Sequence, residues 1–124
     1  NYIAKEKLTN LEIPIAILSN KSDEFMDEVV SRHFSNWKFS VVIGARHGLP
    51  TKPDPYSAFE IAEVMKIQPS EIIYLGDSDI DMQTAVNAGM YGVGAAWGFR
   101  SAEELAANGA NLVINHPSEL LRLF

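Results

Sequence analysis

The sequence contains no cysteine in its 124 residues. Disulfide bonds, thiolate zinc sites and a cysteine nucleophile are therefore excluded, and the composition favours a cytoplasmic location. No apolar run approaches the roughly 20 residues that are needed to span a bilayer. Residues 1–10 also lack the apolar core of a signal peptide. We therefore expect no membrane partner.

Basic residues are also scarce, with 10 Lys and Arg against 16 Asp and Glu and a formal net charge of -6. Because nucleic acids and anionic membranes need a basic patch, the charge balance disfavours both as partners. A small, locally charged ligand remains compatible with it. Hydrophobic residues make up 47% of the chain, and no linker or repeat interrupts it. Residues 1–124 are thus predicted to form a single α/β domain.

Short apolar runs alternate with amphipathic segments along the whole chain. Apolar residues recur at helical spacing around Phe25 and again around Met82 and Val86, which indicates helices there. Such alternation predicts a mostly parallel sheet with helices on both faces, and ligand sites at the carboxyl ends of the strands. The predicted strands are residues 13–18, 40–44, 71–75, 91–95 and 111–114, and helices are predicted to begin at Ser22, Asp54, Ser78, Ser101 and His116.

Two acids follow the third predicted strand. Asp77 comes just past its end and Asp81 is four residues further on, so both carboxylates can face one side of a first helical turn. Paired carboxylates suit Mg²⁺, which typically takes one or two protein carboxylates together with waters and phosphate oxygens. In the alternative interpretation Asp77 caps the helix, and Asp79 and Asp81 are solvated acids near its amino end. The isolated cluster favours neither interpretation.

Two other strand ends carry polar side chains. Lys52 lies in residues 48–55, a loop that three prolines stiffen, and its ammonium could neutralise an oxyanion. A lone loop lysine is, however, more often simply solvated. Ser19 offers a hydroxyl beside the backbone N–H groups of the next helix start, although a serine there is more commonly an N-cap.

The remaining polar candidates carry no functional assignment. No two of the histidines His33, His47 and His116 have metal-ligand spacing, and we assign His33 and His116 to structure. His47 lies in the loop of residues 45–53, which also contains Lys52, and could reach a substrate. Residues 97–100 (WGFR) follow a strand end, where an aromatic pair beside a helix start is more often packing.

The order of these signals is more specific than any one of them. Residues 18–21 (LSNK), 52–55 (KPDP) and 75–81 (LGDSDID) closely resemble, in this order, three of the four motifs of the haloacid dehalogenase superfamily. The similarity continues through residues 84–90 and 97–100 to residues 109–110, and is greatest to the phosphoglycolate phosphatase branch. It thus covers nearly the whole chain.

The resemblance implies a fold and an activity. The fold is a three-layer Rossmann-like α/β core, and the activity is Mg²⁺-dependent hydrolysis of a small phosphorylated metabolite through an aspartyl-phosphate. By position, Ser19 and Asn20 would bind the phosphoryl group and Lys52 would neutralise it. Asp77 would ligate Mg²⁺, with Asp81 supporting the metal site or its waters.

The family's first motif, an apolar strand running into D-x-D-x-T, cannot be found in this sequence. Residues 77–79 imitate its D-x-D, but Ile80 and Asp81 follow where Gly-Thr is usual. We therefore expect the carboxyl-terminal part of a phosphatase core, without the strand of that motif and without the cap. Such a chain would lack the nucleophile, so alone it should be inactive or nearly so. The vacant strand position would invite strand donation or self-association.

Two other functions fit parts of the pattern. One is a non-catalytic phosphate-binding, metal-binding or interaction module of the same fold. The other is a receiver domain of two-component signalling, which resembles this chain in size, acidity and alternation. Receivers carry their acidic pair after the first strand and their lysine near the last, whereas in this chain the acids follow Lys52. This order argues against a receiver.

Overall fold

A computed structural model describes residues 13–124 of the chain. The predicted alternation of strands and helices is confirmed, and no helix within this range is long and apolar enough to cross a membrane. The predicted single domain also includes residues 1–12, which lie outside the described residues. The strands are β1 (Ala16–Ser22), β2 (Val41–Ala45), β3 (Ile73–Gly76), β4 (Tyr91–Ala95) and β5 (Leu112–Ile114). The α-helices are α1 (Met26–His33), α2 (Tyr56–Met65), α3 (Asp79–Ala88) and α4 (Ala102–Ala107), and 3₁₀ helices cover Asp23–Phe25, Pro69–Glu71 and Pro117–Leu123.

Every strand pairing in the described part of the chain is parallel, as predicted, but the strands form two sheets. One sheet pairs β1 with β2, and the other has the order β3-β4-β5. A cavity of about 610 Å³ lies between β1 and β3, and residues of both strands line it. The two sheets therefore turn their unpaired edges, β1 and β3, toward the same space.

Burial differs between the strands according to their neighbours. β4 is paired on both sides, and its residues 92–95 are buried. In contrast, the apolar run of β1 is only partly buried, and Leu75 of β3 is 43% exposed. The sequence predicts a buried first strand, and this prediction is wrong for the apolar residues of β1, which are only partly buried. Within residues 13–124, no strand pairs with the edge of β1 toward the cavity.

Helix α3 supplies much of the core. Its Met82 and Ala85 are fully buried, as are Val93 of β4 and Leu105 of α4. Val86, on the same helix, is 55% exposed. Helical spacing thus locates this helix, but it does not distinguish the core-facing residues from exposed ones.

Helix starts show a similar difference. Ser22 makes no side-chain cap hydrogen bond, and a 3₁₀ turn containing the 49% exposed Phe25 precedes α1. At the other end of the chain, His116 caps the last helical segment, where its Nδ1 accepts the N–H of Ser118 at 3.1 Å. The Glu119 carboxylate accepts the N–H groups of Asn115 and His116, and these bonds lower the pKa of Glu119. The structural role assigned to His116 agrees with this geometry.

Two substitutions in α3 test this packing. We expect Met82→Ala to lower the free energy of unfolding by about 2 to 5 kcal/mol, because it removes a fully buried side chain and leaves a cavity. Val86→Ala on the same helix is the matched control and should change it by less than about 1 kcal/mol. Denaturant unfolding of both variants measures the difference, and equal losses would contradict the assignment of the core face.

Candidate active site

The predicted site residues lie at the carboxyl ends of the strands that border the cavity. β1 pairs with β2 as far as Leu18, opposite Ile43, and the pairing resumes only at Ser22, opposite Ala45. Residues 19–21 therefore leave the regular ladder. Asp77 directly follows β3, and Lys52 lies in the connection between β2 and α2. Lys52, Asp77 and Asp81 all line the cavity.

The Asp81 carboxylate connects three parts of the structure. Its Oδ1 accepts hydrogen bonds from Lys52 Nζ at 2.7 Å and from the Tyr74 hydroxyl at 3.3 Å. Its Oδ2 accepts the backbone N–H of Asp77 at 3.2 Å. The Lys52 and Asp81 side chains are only 14% and 12% exposed, so this is a mostly buried ion pair. It joins the lysine loop to β3 and to the start of α3.

Tyr74 is a site residue that the motif pattern does not reveal. Burial, followed by the charge of the nearby Asp81 carboxylate, raises the pKa of the Tyr74 phenol. The phenol is therefore protonated at neutral pH and acts as a donor to Asp81. The available signal was a tyrosine in a largely aliphatic strand, because a buried phenol needs a hydrogen-bond partner.

The two acids have different surroundings. Ser78 is the N-cap of α3, with its Oγ accepting the N–H of Asp81 at 3.1 Å, so the alternative in which Asp77 caps this helix is wrong. Gly76 allows the Asp81 side chain to fold back, since a Cβ at this position would overlap it. Asp77 instead accepts the N–H of Phe99 on its Oδ2 at 3.3 Å. Asp81 is thus held by the lysine, and Asp77 by the segment after β4.

Asn20 contacts the backbone of Lys52 rather than standing free. The Lys52 N–H donates to Asn20 Oδ1 at 3.0 Å, and Asn20 Nδ2 donates to the Lys52 carbonyl at 3.3 Å. On the other side of this loop, Asn87 Nδ2 donates to the Pro53 carbonyl at 3.0 Å. The geometry thus positions the lysine loop through two asparagines, and a phosphate contact of Asn20 stays a prediction.

Ser19 is placed beside these residues without bonding to them. Its Oγ accepts the N–H of Lys21 at 3.1 Å, which is a local turn and not a helix N-cap. This bond uses Ser19 as an acceptor, and its hydroxyl hydrogen can still be donated. The structure therefore brings Lys52, Asp77 and Asp81 together, and places Ser19 in the loop next to Asn20.

The donor set suits a hydrated cation rather than a cation enclosed by protein. Within residues 13–124, no group of three or more His, Asp or Glu side chains is placed to hold a metal ion. Mg²⁺ does not need such a group, because it usually keeps several waters and takes one or two carboxylates. Asp77 fits the role of direct ligand. Asp81, which already accepts from Lys52 and from the Asp77 N–H, fits the role of orienting the site.

Comparison with known proteins assigns the family. The family model of haloacid dehalogenase-like hydrolases matches residues 4–95, which is most of the chain. The chain belongs to this family. The match includes Lys52 and both site acids, in the order from which the resemblance was inferred. The receiver interpretation is therefore rejected.

Individual relatives agree with this assignment. The chain is 31% identical to a phosphoglycolate phosphatase of Vibrio vulnificus over 120 residues, which cover 94% of this chain and 53% of that protein. A structure from Lactobacillus delbrueckii, provisionally named a phosphoglycolate phosphatase, is 30% identical with a TM-score of 0.88, covering 97% of this chain and 50% of that one. A haloacid dehalogenase-like hydrolase of Streptococcus pneumoniae shares the fold, with 19% identity, a TM-score of 0.86, and coverage of 99% and 57%. The chain thus spans about half the length of these relatives.

A double-mutant cycle tests the buried ion pair. We expect Lys52→Met to lower the free energy of unfolding by about 3 kcal/mol, because it leaves the Asp81 carboxylate mostly buried and without its cation. The double variant Lys52→Met/Asp81→Asn should lose less stability than the sum of the losses in the two single variants, and the difference should be about 1 kcal/mol or more.

The exposed pair of Arg32 and Glu28 is the matched control for this cycle. Its N···O distance is 2.8 Å, but the two side chains are 68% and 64% exposed. Arg32→Met should therefore cost less than about 1 kcal/mol. Denaturant unfolding measures all four variants, and strictly additive losses at positions 52 and 81 would contradict the coupling.

Proposed function

We propose that the full-length protein containing this chain hydrolyses a small phosphate monoester with Mg²⁺ through an aspartyl-phosphate. One observation carries the proposal: Lys52, Asp77 and Asp81 meet at the carboxyl ends of the strands, on the cavity between β1 and β3. This arrangement provides a cation for a phosphoryl group and a carboxylate for a metal beside a space that a further strand fits. The phosphoglycolate phosphatase names of the relatives make phosphoglycolate the first substrate to test.

Lys52 is proposed to bind and neutralise the phosphoryl group. Its ammonium has three donors, and the bond to Asp81 Oδ1 uses one of them. Asp81 holds the ammonium in place, while the asparagine contacts fix the backbone of the lysine loop. Ser19 is proposed to donate its hydroxyl hydrogen to a phosphoryl oxygen, and Asn20 to bind the phosphoryl group or to place Lys52 beside it. Such fixed charges stabilise the transferring phosphoryl group with little reorganisation.

Asp77 is proposed as the protein ligand of Mg²⁺, with Asp81 as its support. When bound, Mg²⁺ supplies positive charge that offsets the negative charge developing on the phosphoryl oxygens. The protein's own contribution is to give the two carboxylates different partners, so that each can have a different role. Asp81 faces Lys52, and Asp77 accepts a single backbone N–H on Oδ2.

The nucleophile is proposed to arrive on an apolar strand that occupies the cavity between β1 and β3. Both bordering strands run parallel to their sheet partners, and each lacks a neighbour on the cavity side within residues 13–124. A cavity of about 610 Å³ lined by Ile17, Leu18 and Tyr74 suits a short apolar segment of this kind. If that strand runs parallel to them, its carboxyl end lies beside Asp77 and Lys52, where the family's first motif would present an aspartate.

The reaction would then follow from this placement. The aspartate on the incoming strand would attack phosphorus, and the bond from phosphorus to the ester oxygen would break, so that the alcohol leaves with a proton from the general acid/base that the same motif would supply. Water would then attack the phosphorus of the aspartyl-phosphate and give its proton to that acid/base. The bond from phosphorus to the aspartyl oxygen would break, releasing phosphate and the free carboxylate. This chain's own residues bind and orient the phosphoryl group in both steps.

A non-catalytic phosphate- or metal-binding module is the second candidate. It is favoured by one observation: among residues 13–124, the site acids Asp77 and Asp81 are both occupied in positioning contacts, and neither is placed as a nucleophile. The two candidates differ in a single outcome, which is turnover by the full-length protein.

Turnover of the full-length protein tests the phosphatase proposal. With Mg²⁺ and phosphoglycolate, phosphate release should be fast in the unaltered protein and fall by about two orders of magnitude or more in Asp77→Asn, because the metal ligand is lost. Asp81→Asn should reduce it less. Asp27→Asn is the control, since this exposed acid lies in the first turn of α1 and is not part of the cavity lining.

Two results would count against these roles. Full turnover in Asp77→Asn would remove this residue from the site. No release of phosphate from any of a panel of small phosphate esters by the unaltered full-length protein would favour the binding module instead.

Dye binding tests the proposed strand position. The 124-residue chain alone should bind the apolar dye ANS, because the cavity exposes apolar surface. The full-length protein should bind little. Leu75→Ser should reduce the dye signal of the chain, whereas Val64→Ser should not, since Val64 is 56% exposed on α2 and is not part of the cavity lining. A sharp, reversible transition of the chain without dye binding would contradict the proposed strand.

A further inference from the structure

We propose that the β4–α4 loop, residues 96–101, positions the Asp77 carboxylate through its backbone, with Gly98 as the positioning residue. This inference rests on the proposed function, because it takes Asp77 as the metal ligand. The loop contains the WGFR segment, to which neither the motif pattern nor the proposed mechanism gives a role.

Gly98 lies directly against the Asp77 side chain. A Cβ at position 98 would be 2.5 Å from both Cβ and Oδ2 of Asp77, a separation that real Cβ atoms do not tolerate. The backbone conformation does not explain this glycine, since the positive φ values among the described glycines occur at Gly48, Gly89 and Gly109. Gly98 is therefore required for space, and that space is occupied by the Asp77 side chain.

Two backbone donors of the same loop hold Asp77. The Phe99 N–H donates to Asp77 Oδ2 at 3.3 Å, and the Arg100 N–H donates to the Asp77 carbonyl at 3.0 Å. One carboxylate oxygen thus has a fixed partner. A hydrogen bond of this type orients a metal-binding carboxylate, and loss of such support typically weakens metal affinity.

The loop is itself anchored on both sides. The Gly98 N–H donates to the Ala95 carbonyl at 3.3 Å, which ties it to the end of β4. Arg100 Nε lies 3.4 Å from a carboxylate oxygen of Glu104 and 3.7 Å from one of Asp79. Its guanidinium also lies 4.3 Å from the centre of the Phe99 ring. The hydrogen bond to β4 and the two bonds to Asp77 therefore fix the course of the loop, and the partly exposed charge contacts of Arg100 add little.

Packing of the aromatic side chains does not explain the segment. Phe99 is 71% exposed within residues 13–124, so the expectation of packing is not met for this ring, whereas Trp97 is 46% exposed and lines the cavity between β1 and β3. The features of the loop that contact Asp77 are the missing side chain of Gly98 and the N–H groups of Phe99 and Arg100. The proposed role thus depends on the backbone and not on the Phe99 ring.

Metal binding and structure together test this role in the full-length protein. We expect Gly98→Ala to weaken Mn²⁺ binding roughly 10- to 100-fold, measured by electron paramagnetic resonance of free Mn²⁺ without substrate. Phe99→Ala keeps the N–H and should bind Mn²⁺ as the unaltered protein does. Gly92→Ala is the matched control, because its new Cβ would meet Ala85 at 3.2 Å and does not approach Asp77. A crystal structure of metal-free Gly98→Ala should show the Asp77 carboxylate displaced.

A second variant covers the case in which Gly98→Ala does not fold. Replacing the Phe99 amide by an ester through semisynthesis (Phe99→phenyllactate) removes the N–H that bonds Asp77 without adding an atom. It should also weaken Mn²⁺ binding, whereas an amide-to-ester replacement at Asn108, whose N–H donates to the Glu104 carbonyl at 3.1 Å and not to Asp77, should not.

The outcomes separate this inference from the proposed function. Mn²⁺ affinity that is unchanged in both Gly98→Ala and the ester variant would overturn the positioning role and leave the phosphatase proposal standing. No Mn²⁺ binding by the unaltered full-length protein would overturn the metal site itself. In that case the crystal structure decides alone, since an unmoved Asp77 carboxylate in Gly98→Ala overturns the inference and a displaced one supports it.

Discussion

The site depends on the ion pair between Lys52 and Asp81. Burying two charges costs several kcal/mol, and this cost is offset only when the remaining donors and acceptors are also satisfied. Asp81 accepts from Lys52, from the Tyr74 hydroxyl and from the Asp77 N–H. The lysine loop, β3 and the start of α3 must therefore keep fixed positions relative to one another. The same contacts that satisfy the buried Asp81 carboxylate also bring together the residues of the active site that we propose.

The division of the sheet follows from the same arrangement. β3 is fixed by its pairing with β4 and by the bond from the Asp77 N–H to Asp81 of α3, and within residues 13–124 no strand pairs with it on the side of β1. β1 is fixed by β2 and by the Asn20 contacts to Lys52. The lysine loop thus connects the two sheets at the end of the cavity where the carboxyl ends of β1 and β3 lie. A strand that occupies the cavity could therefore pair with β1 and β3 beside polar residues that are already positioned.

Much of this could be predicted from the sequence, and the failures have physical reasons. Strand and helix order come from apolar periodicity, and the meeting of Lys52, Asp77 and Asp81 at the strand ends follows from motif order. The partial exposure of β1 does not follow from its apolar run, because such a run shows that a strand prefers burial but not how far its neighbours cover it. The contacts of Tyr74 and Gly98 do not follow from the sequence either, since each depends on how separate elements pack. Tyr74 of β3 bonds Asp81 on α3, and Gly98 approaches Asp77 from 21 residues away.

The charges at the site explain why the proposed reaction needs a divalent cation as well as the lysine. Lys52 is matched by Asp81, so the charge of Asp77 is left uncompensated by these three residues. An incoming nucleophilic aspartate would add a second negative charge nearby, and a phosphate monoester would add close to two more at neutral pH. Like charges that lie close together repel strongly where the surroundings are partly desolvated. A hydrated Mg²⁺ on Asp77 would reduce that repulsion, and the Phe99 N–H, which bonds Asp77 Oδ2, would fix this carboxylate in the proposed site. Because the two acids are anchored separately, Asp81 would pair with the lysine in the proposed mechanism while Asp77 would bind the metal.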